Sequence, residues 1–135
     1  MADAVTSQII GDNVGAKNIL VKLTNISDGS GESAVAKVDV SALASNSAGK
    51  ACSSVSISRI YWACRGMGVD IEFDATTNVL AIPLPADSTG DEYYDLFTGI
   101  PNNAGSGVTG DIDFTTVGHS NGDAYSIILV LTKNF

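Results

Sequence analysis

The sequence is poor in the residues from which catalytic and metal sites are usually built. Its 135 residues include one histidine, two cysteines, one tryptophan and three prolines. An active site normally shows a base, a nucleophile or a cluster of metal ligands, and no such set is spaced for chemistry along this chain. The composition therefore predicts a protein that is not an enzyme, with no catalytic residues, no cofactor and no metal site.

Charge is scarce as well. Asp, Glu, Lys and Arg make up 16% of the residues, against roughly 25% in an average domain. A surface with so little charge must be covered by Ser, Thr, Asn and Gly, or be partly hidden by other subunits. We therefore expect a protein that works in an assembly and forms a homo-oligomer, either a dimer or a trimer.

Positive charge is almost missing from the second half of the chain. Residues 1–65 hold six basic and five acidic side chains, whereas residues 66–135 hold Lys133 against ten acids, for a net charge of −8. Such a field repels phosphate backbones and anionic membrane surfaces. The sequence predicts no nucleic-acid partner and no membrane partner, and leaves a basic protein surface, a divalent cation or simple solubility as the reason for the acids.

Long apolar runs are absent too. No segment approaches the 18 consecutive apolar residues of a membrane span, and the first residues, Met-Ala-Asp-Ala-Val-Thr-Ser, carry an acid where a secretory leader needs positive charge. We expect synthesis in the cytosol.

What the sequence has in abundance is short alternating apolar runs separated by Gly, Ser, Asn and Asp. No stretch of ten residues shows a helical period, and residues 41–48 have room for one helical turn at most. The pattern predicts one all-β domain over residues 1–135, an antiparallel β-sandwich (jelly-roll or Ig-like) of eight or nine strands with no long helix. The predicted strands are Val5–Ile10, Asn18–Thr24, Ala34–Val40, Val55–Ala63, Val69–Phe73, Val79–Leu84, Asp91–Phe97, Asp111–Val117 and Ala124–Thr132.

Two of these strands carry more specific signals. The run from Val69 to Asp74 alternates strictly, which predicts a hairpin with Val79–Leu84 and an open acidic face. In Val55–Ala63 the apolar residues change phase, which predicts either a β-bulge near Ser58-Arg59 or a central strand buried on both sides. The nearly continuous apolar run of Tyr125–Leu131 predicts a mid-sheet strand.

Cys52 and Cys64 bracket one predicted strand. Its ends lie about 30 Å apart, whereas a disulfide needs Cα atoms within about 7 Å. Both cysteines are therefore expected to be free and buried.

Several motifs match functional patterns only in part. Gly105–Gly110 reads G-x-G-x-x-G, but a strand rather than a helix follows it, so a tight loop is favoured over a nucleotide site. Asp70, Glu72 and Asp74 share one strand face, which favours a solvated surface and leaves calcium binding open. Asp87 and Asp91 lie on a Gly-containing loop, where a surface turn is favoured and calcium also stays open. His119 has no second histidine and is expected to be an exposed loop residue.

Adjacent aromatics supply the candidate interface. In Tyr61-Trp62 and Tyr93-Tyr94, one residue of each pair is expected to face the core and the other solvent, with Trp62 favoured as a core residue. Arg59 and Arg65 flank the same strand and are candidates for ion pairs with another subunit. The interface candidates predicted from the sequence are Arg59, Arg65, Tyr93 and Tyr94.

A series of segments in a fixed order follows the chain: Ala4–Ile10, Val21–Ser33, Lys37–Leu43, Ile57–Trp62, Val69–Ala75, Gly99–Gly105, Gly110–Ile112 and Tyr125–Leu129. The order of these segments resembles a family of small virion structural proteins from tailed phages of marine bacteria and cyanobacteria. The resemblance covers most of the chain and rests on turns and strand cores, not on catalytic motifs.

The resemblance implies a β-sandwich subunit of the virion, assembled in the host cytoplasm, and in particular a capsid decoration or cement protein. Its partners would be the major capsid protein or other virion proteins. The alternative is a host-recognition or carbohydrate-binding module of the tail, for which Tyr93-Tyr94-Asp95 is the candidate site.

Overall fold

The computed structural model describes residues 3–94 and 99–135, and within these ranges the chain forms nine β-strands and no α-helix. In this part of the chain, no helix is long and apolar enough to cross a membrane. The strands are β1 (Ala4–Ile10), β2 (Asn18–Ile26), β3 (Val35–Val38), β4 (Ser54–Arg65), β5 (Gly68–Phe73), β6 (Val79–Leu84), β7 (Thr89–Tyr93), β8 (Ile112–Val117) and β9 (Ala124–Asn134).

The strands form two antiparallel sheets that pack as a β-sandwich. Sheet 1 has the order β1-β2-β9-β4-β7 and sheet 2 the order β3-β8-β5-β6. The pairs β2/β9, β3/β8, β4/β7 and β5/β6 are those of one long hairpin rolled into two sheets. This is the connectivity of an eight-stranded jelly roll. The strand order therefore selects the jelly roll over the Ig-like alternative, and β1 is an addition at the edge of sheet 1.

The core lies between the two sheets and is built from alternating positions of the strands. In β2 and β9 every second residue is buried, and Val21, Ile127, Leu129 and Leu131 are wholly inaccessible. Side chains of successive strand residues point to opposite faces, so one apolar face of each sheet is enough to fill the interior. Strand β9 lies between β2 and β4 in the middle of sheet 1, as its apolar run predicts.

The phase change in β4 is a bulge, one of the two predicted alternatives. Its pairing with β9 shifts register between Ile57 and Arg59, so Ser58 is the extra residue. Val55, Ile57 and Ile60 are all fully buried as a result, because the bulge returns the second half of the strand to the same face. The predicted hairpin of β5 and β6 is also present.

Some predicted boundaries move. The segment predicted as strand Ala34–Val40 is only four residues long in β3, and a single 3₁₀ turn follows at Val40–Ala42, where the Asp39 side chain accepts a hydrogen bond from the backbone of Ser41. Strand β7 begins at Thr89, earlier than predicted, and its predicted end at Phe97 lies outside the described residues. Cys52 and Cys64 are both free and buried, as predicted, and burial raises the pKa of each thiol.

Strand β1 extends sheet 1 beyond the jelly roll. It pairs with β2 along its whole length, from Ala4 opposite Ile26 to Ile10 opposite Leu20. Sheet 1 has five strands and sheet 2 four, so β1 has no counterpart to pack against. All seven of its residues are consequently exposed.

Candidate functional site

Four side chains on the outer face of sheet 1 form a polar and aromatic surface that we call the arginine–tyrosine patch. It consists of Arg59 and Tyr61 from β4 and Asp91 and Tyr93 from β7. The register places Arg59 opposite Tyr93 and Tyr61 opposite Asp91. Residues directly opposite each other in an antiparallel pair point to the same face, so the bulge at Ser58 also determines that these four side chains meet.

The guanidinium group of Arg59 is the centre of the patch. It donates to both oxygens of Asp91, from Nε at 3.1 Å and from Nη2 at 3.0 Å. The same group lies 4.6 Å from the ring centroid of Tyr61 and 5.7 Å from that of Tyr93, within cation–π range. The hydrogen bonds from Arg59 hold the pKa of Asp91 below its usual value, and those to Asp91 raise the pKa of Arg59.

The patch is accessible. Tyr93 is 63% exposed, and the side chains of Arg59 and Asp91 are 35% and 43% exposed. Beside the patch lies a surface depression of about 450 Å³, to which Lys17, Asn18, Ser58 and Thr132 contribute. The arrangement therefore offers an aromatic ring, a fixed guanidinium and hydrogen-bonding groups to a binding partner.

The chain neighbours of the two patch tyrosines, Tyr61 and Tyr93, point inward. Trp62 and Tyr94 are partly buried and pack against the core. The Trp62 indole N–H donates to Ser88 Oγ at 3.0 Å, and burial raises the pKa of Tyr94, with a further contribution from Glu92. Of the four interface candidates, Tyr94 packs against the core and also lines the depression. Tyr61 and Asp91 belong to the patch although neither was among the candidates.

Arg65 is the last residue of β4 and does not belong to the patch. Its Nη2 donates to the backbone oxygen of Gly122 at 3.2 Å. Arg59 and Arg65 were expected to pair with acids of another subunit, but the carboxylate partner of Arg59 comes from its own chain. Arg59 and Tyr61 are two residues apart in β4, after the bulge, so strand alternation alone would have placed them on the same face. Nothing in the sequence indicated that β4 pairs with β7.

The acids of β5 do not form the open face that their alternation predicts. Asp70, Glu72 and Asp74 are each half-buried. Glu72 accepts from Thr115 at 2.9 Å, and Asp74 accepts from Thr109 at 2.7 Å. The antiparallel pairing of β5 with β8 continues one residue beyond the strands, since the backbone N–H of Asp74 donates to the carbonyl oxygen of Asp111. An acid that the sequence did not single out, Asp113 of β8, lies opposite Glu72 and is 2% exposed.

The two acids of the Asp87–Asp91 segment have separate partners. Asp87 accepts from the backbone N–H of Gly66 at 2.7 Å, whereas Asp91 is bound to Arg59. Within residues 3–94 and 99–135, no three His, Cys, Asp or Glu side chains are grouped so that they could hold a metal ion.

The remaining motifs are explained by packing. His119 is half-buried, not exposed as predicted, because its ring lies against Gly31, where a Cβ atom would be 2.3 Å from it. Its Nδ1 is 3.2 Å from Thr116 Oγ1. The Gly105–Gly110 segment is a loop followed by β8, and Gly110 has a positive φ of 92° with its Cα packed against the backbone of Ser53.

Comparisons of this chain with protein-family models, with curated proteins and with solved structures found no match.

Proposed function

We propose that this protein is a structural subunit of a phage virion, a capsid decoration or cement protein that binds the assembled coat lattice through the arginine–tyrosine patch. The observation that carries the proposal is the exposed Tyr93 ring beside an arginine whose orientation is already determined within the subunit. Tyrosine and arginine are enriched among the few residues that supply most of the binding energy at protein interfaces.

The internal ion pair favours binding because it reduces the entropy lost on association. A free arginine side chain loses rotamer freedom when a partner immobilises it, at a cost of about 0.5–1.5 kcal/mol. Asp91 holds both Nε and Nη2 of Arg59 in place, and the Tyr61 ring lies against the guanidinium. The patch is thus preorganised for contact.

The fold supports the same class of function by analogy. Jelly rolls occur in viral capsid proteins and in lectins, although a fold by itself does not determine a function. A cement protein stabilises a shell by binding the assembled state in preference to free coat subunits, which requires only a recognition surface. The resemblance of the sequence to phage virion proteins points in the same direction.

The experiment has two stages. Mass spectrometry of gradient-purified virions should find the protein in many copies per particle. Particles from a phage that lacks the gene are then reloaded with purified protein, and bound protein is measured by co-sedimentation. We expect Tyr93→Ala to weaken binding about 30-fold, as for an interface hot spot of about 2 kcal/mol.

The matched control is Leu80→Ala, which shortens a side chain that is 50% exposed on the other sheet and should leave binding unchanged. Because exposed charges are screened by salt, raising salt from about 0.1 M to about 1 M should weaken binding only slightly if the aromatic contact dominates. Virions without the protein, or equal binding to unassembled coat subunits, would contradict the proposal.

A second candidate is carbohydrate binding in the tail. It is favoured by the depression beside Tyr93, because sugar sites combine an aromatic face with hydrogen-bonding side chains such as Lys17 and Asn18. Asp95, the third residue of the predicted sugar site, lies outside the described residues. Binding of the wild type to a glycan panel that is lost in Tyr93→Ala, with reloading onto particles unaffected, would favour this function.

A further inference from the structure

Strand β1 is an edge strand that lacks the usual protection against pairing. Natural edge strands carry charged side chains, prolines or bulges, or they are short. The sequence of β1, Ala-Val-Thr-Ser-Gln-Ile-Ile, contains no charged residue, proline or glycine, and all seven residues are exposed. One side of its backbone is paired with β2, which leaves the other side available.

The other three edges of the sandwich are protected in one of these ways. At the opposite edge of sheet 1, β7 contains Asp91 and Glu92. In sheet 2, β3 is four residues long and carries Lys37, and β6 contains Pro83. Among the four sheet edges formed by residues 3–94 and 99–135, β1 is therefore the one that no charge, proline or short length protects from pairing.

The strand is held in place before any partner arrives. Its seven residues are in register with β2, and the carboxylate of Asp3, just before it, accepts hydrogen bonds from Asn25 and Ser30. These and further hydrogen bonds lower the pKa of Asp3 to about 2, although burial acts in the opposite direction. A preorganised strand pairs without the entropy loss of an unstructured segment.

We propose that two copies of this chain pair β1 against β1, antiparallel, about a two-fold axis at Ser7. The evidence for a second copy as the partner is that the strand is palindromic in polarity, with two apolar residues, three polar ones and two apolar ones. Antiparallel pairing about Ser7 places Ala4 opposite Ile10 of the other copy, Val5 opposite Ile9, and Thr6 opposite Gln8. Apolar residues then meet apolar ones and polar residues meet polar ones on both faces.

This pairing also covers apolar side chains that are otherwise exposed. Val5 and Ile9 lie on the face that carries the core residues of β2, since Ile9 is opposite the buried Val21. They are 49% and 45% exposed, and on the other face Ile10 and Ile26 are 48% and 57% exposed. In the paired sheet, Ile10 of one copy adjoins Ala4 of the other, next to Ile26. The two five-stranded sheets become one ten-stranded sheet.

The charges are compatible with self-association. Although each chain carries a net charge of −8, no residue of β1 is ionisable, and the nearest one on β2 is Lys22, opposite Gln8. No pair of like charges meets across the proposed axis. This contact is separate from the arginine–tyrosine patch, and it holds or fails independently of the virion assignment.

A charge-swap experiment at the axis tests the proposal. Only in this arrangement does residue 7 of one subunit lie opposite residue 7 of the other. Ser7→Lys and Ser7→Glu therefore each place like charges directly opposite each other, which is destabilising. In sedimentation equilibrium, the wild type should show twice the chain mass of 13.9 kDa, and each variant alone a single chain mass. An equimolar mixture of the two variants should recover the dimer.

The matched controls are Thr89→Lys and Thr89→Glu, at an exposed position of the opposite edge strand β7, and these should keep the wild-type mass. Circular dichroism checks that each variant is folded. If the variants fail to fold, the mass of the wild-type protein alone still tests whether the chain dimerises. A wild type that is monomeric throughout a concentration series overturns the proposal, as does a Ser7→Lys protein that keeps the wild-type mass. An equimolar mixture of the two Ser7 variants that stays monomeric also overturns the proposal. That result is expected if β1 pairs with a strand of a different protein instead of a second copy.

Discussion

At the scale of single residues, the buried carboxyl of Asp113 is the least expected feature. Its Oδ2 accepts from Asn78 at 3.0 Å, while Oδ1 lacks a donor. Burial first, and then the neighbouring carboxylate of Asp74, raise the pKa of Asp113 from 3.8 to about 6. The pKa of Asp74 is lowered, mainly by the hydroxyl of Thr109 and then by Asp113. A proton held on Asp113 removes one of the two negative charges at this site.

The raised pKa makes stability depend on pH. The folded state binds this proton more tightly than the unfolded state, so the contribution is fully present below pH 4 or so and is lost as the pH rises through about 6. We predict that Asp113→Asn removes this loss of stability with rising pH, because the amide stays uncharged at every pH. At neutral pH the variant should be more stable by up to about 3 kcal/mol.

The measurement is urea unfolding at a series of pH values from about 4 to about 7. Glu92→Gln, which neutralises an exposed acid of β7, is the control and should follow the wild-type profile. A profile for Asp113→Asn that parallels the wild type over this range would show that Asp113 does not hold the proton.

At the scale of secondary-structure elements, the contact between β4 and β7 depends on a missing side chain. Gly90 is opposite Trp62, and a Cβ atom on Gly90 would lie 2.3 Å from the indole ring. The indole covers the space above the glycine and reaches Ser88 with its N–H. The same strand pair carries the arginine–tyrosine patch on its other face, so the packing of Trp62 supports the patch.

We predict that Gly90→Ala displaces the ring and destabilises the protein by about 1–3 kcal/mol, the cost of overpacking. Because the chain has one tryptophan, its fluorescence reports the change directly, and the emission should shift to longer wavelength as the ring becomes more exposed. Gly105→Ala is the control, since a Cβ atom there has nothing within 4 Å. Unchanged emission and stability in Gly90→Ala would mean that β7 moves to accommodate the methyl group without cost.

At the scale of the whole molecule, one buried cation joins three distant parts of the chain. Lys133 is 0% exposed, and its Nζ lies 2.8 Å from Asp12 Oδ1 and 3.0 Å from the backbone oxygen of Ala44. The loop after β1, the segment before β4 and the last strand therefore meet at this ammonium group. The single basic residue of the acidic half is thus inside the molecule and neutralised by an acid of the other half.

We predict that Asp12→Asn lowers the free energy of unfolding by about 3–5 kcal/mol, because it leaves a buried charge without its counter-ion. Asp91→Asn removes the acid from the exposed pair with Arg59 and should cost less than about 1 kcal/mol. Urea denaturation of both variants gives the comparison. Equal losses in the two variants would contradict a special role for the buried pair.

Much of the fold follows from the sequence alone. The strict alternation of Val69–Phe73 predicts a hairpin and the apolar run of Tyr125–Leu131 a central strand, and both are present. The phase change around Ser58 predicts a bulge or a strand buried on both faces, and the bulge is present. The length of the strand between Cys52 and Cys64 likewise excludes a disulfide. These features are local, because the period of two in a strand is set by its own backbone.

Only the tertiary structure decided which strands are neighbours, and with that the candidate sites. Period-2 patterning assigns a face to each residue, but the strand that lies beside it can be seventy residues away, as β9 is from β4. The pairing of β4 with β7 gives Arg59 an acid from its own chain and places Tyr93 beside it. Asp113, opposite Glu72 in the pairing of β5 with β8, is buried on a face that alternation alone leaves in solvent. The jelly-roll order leaves β1 as a fifth strand with no sheet beneath it, which is a property of the strand order and not of the seven residues themselves.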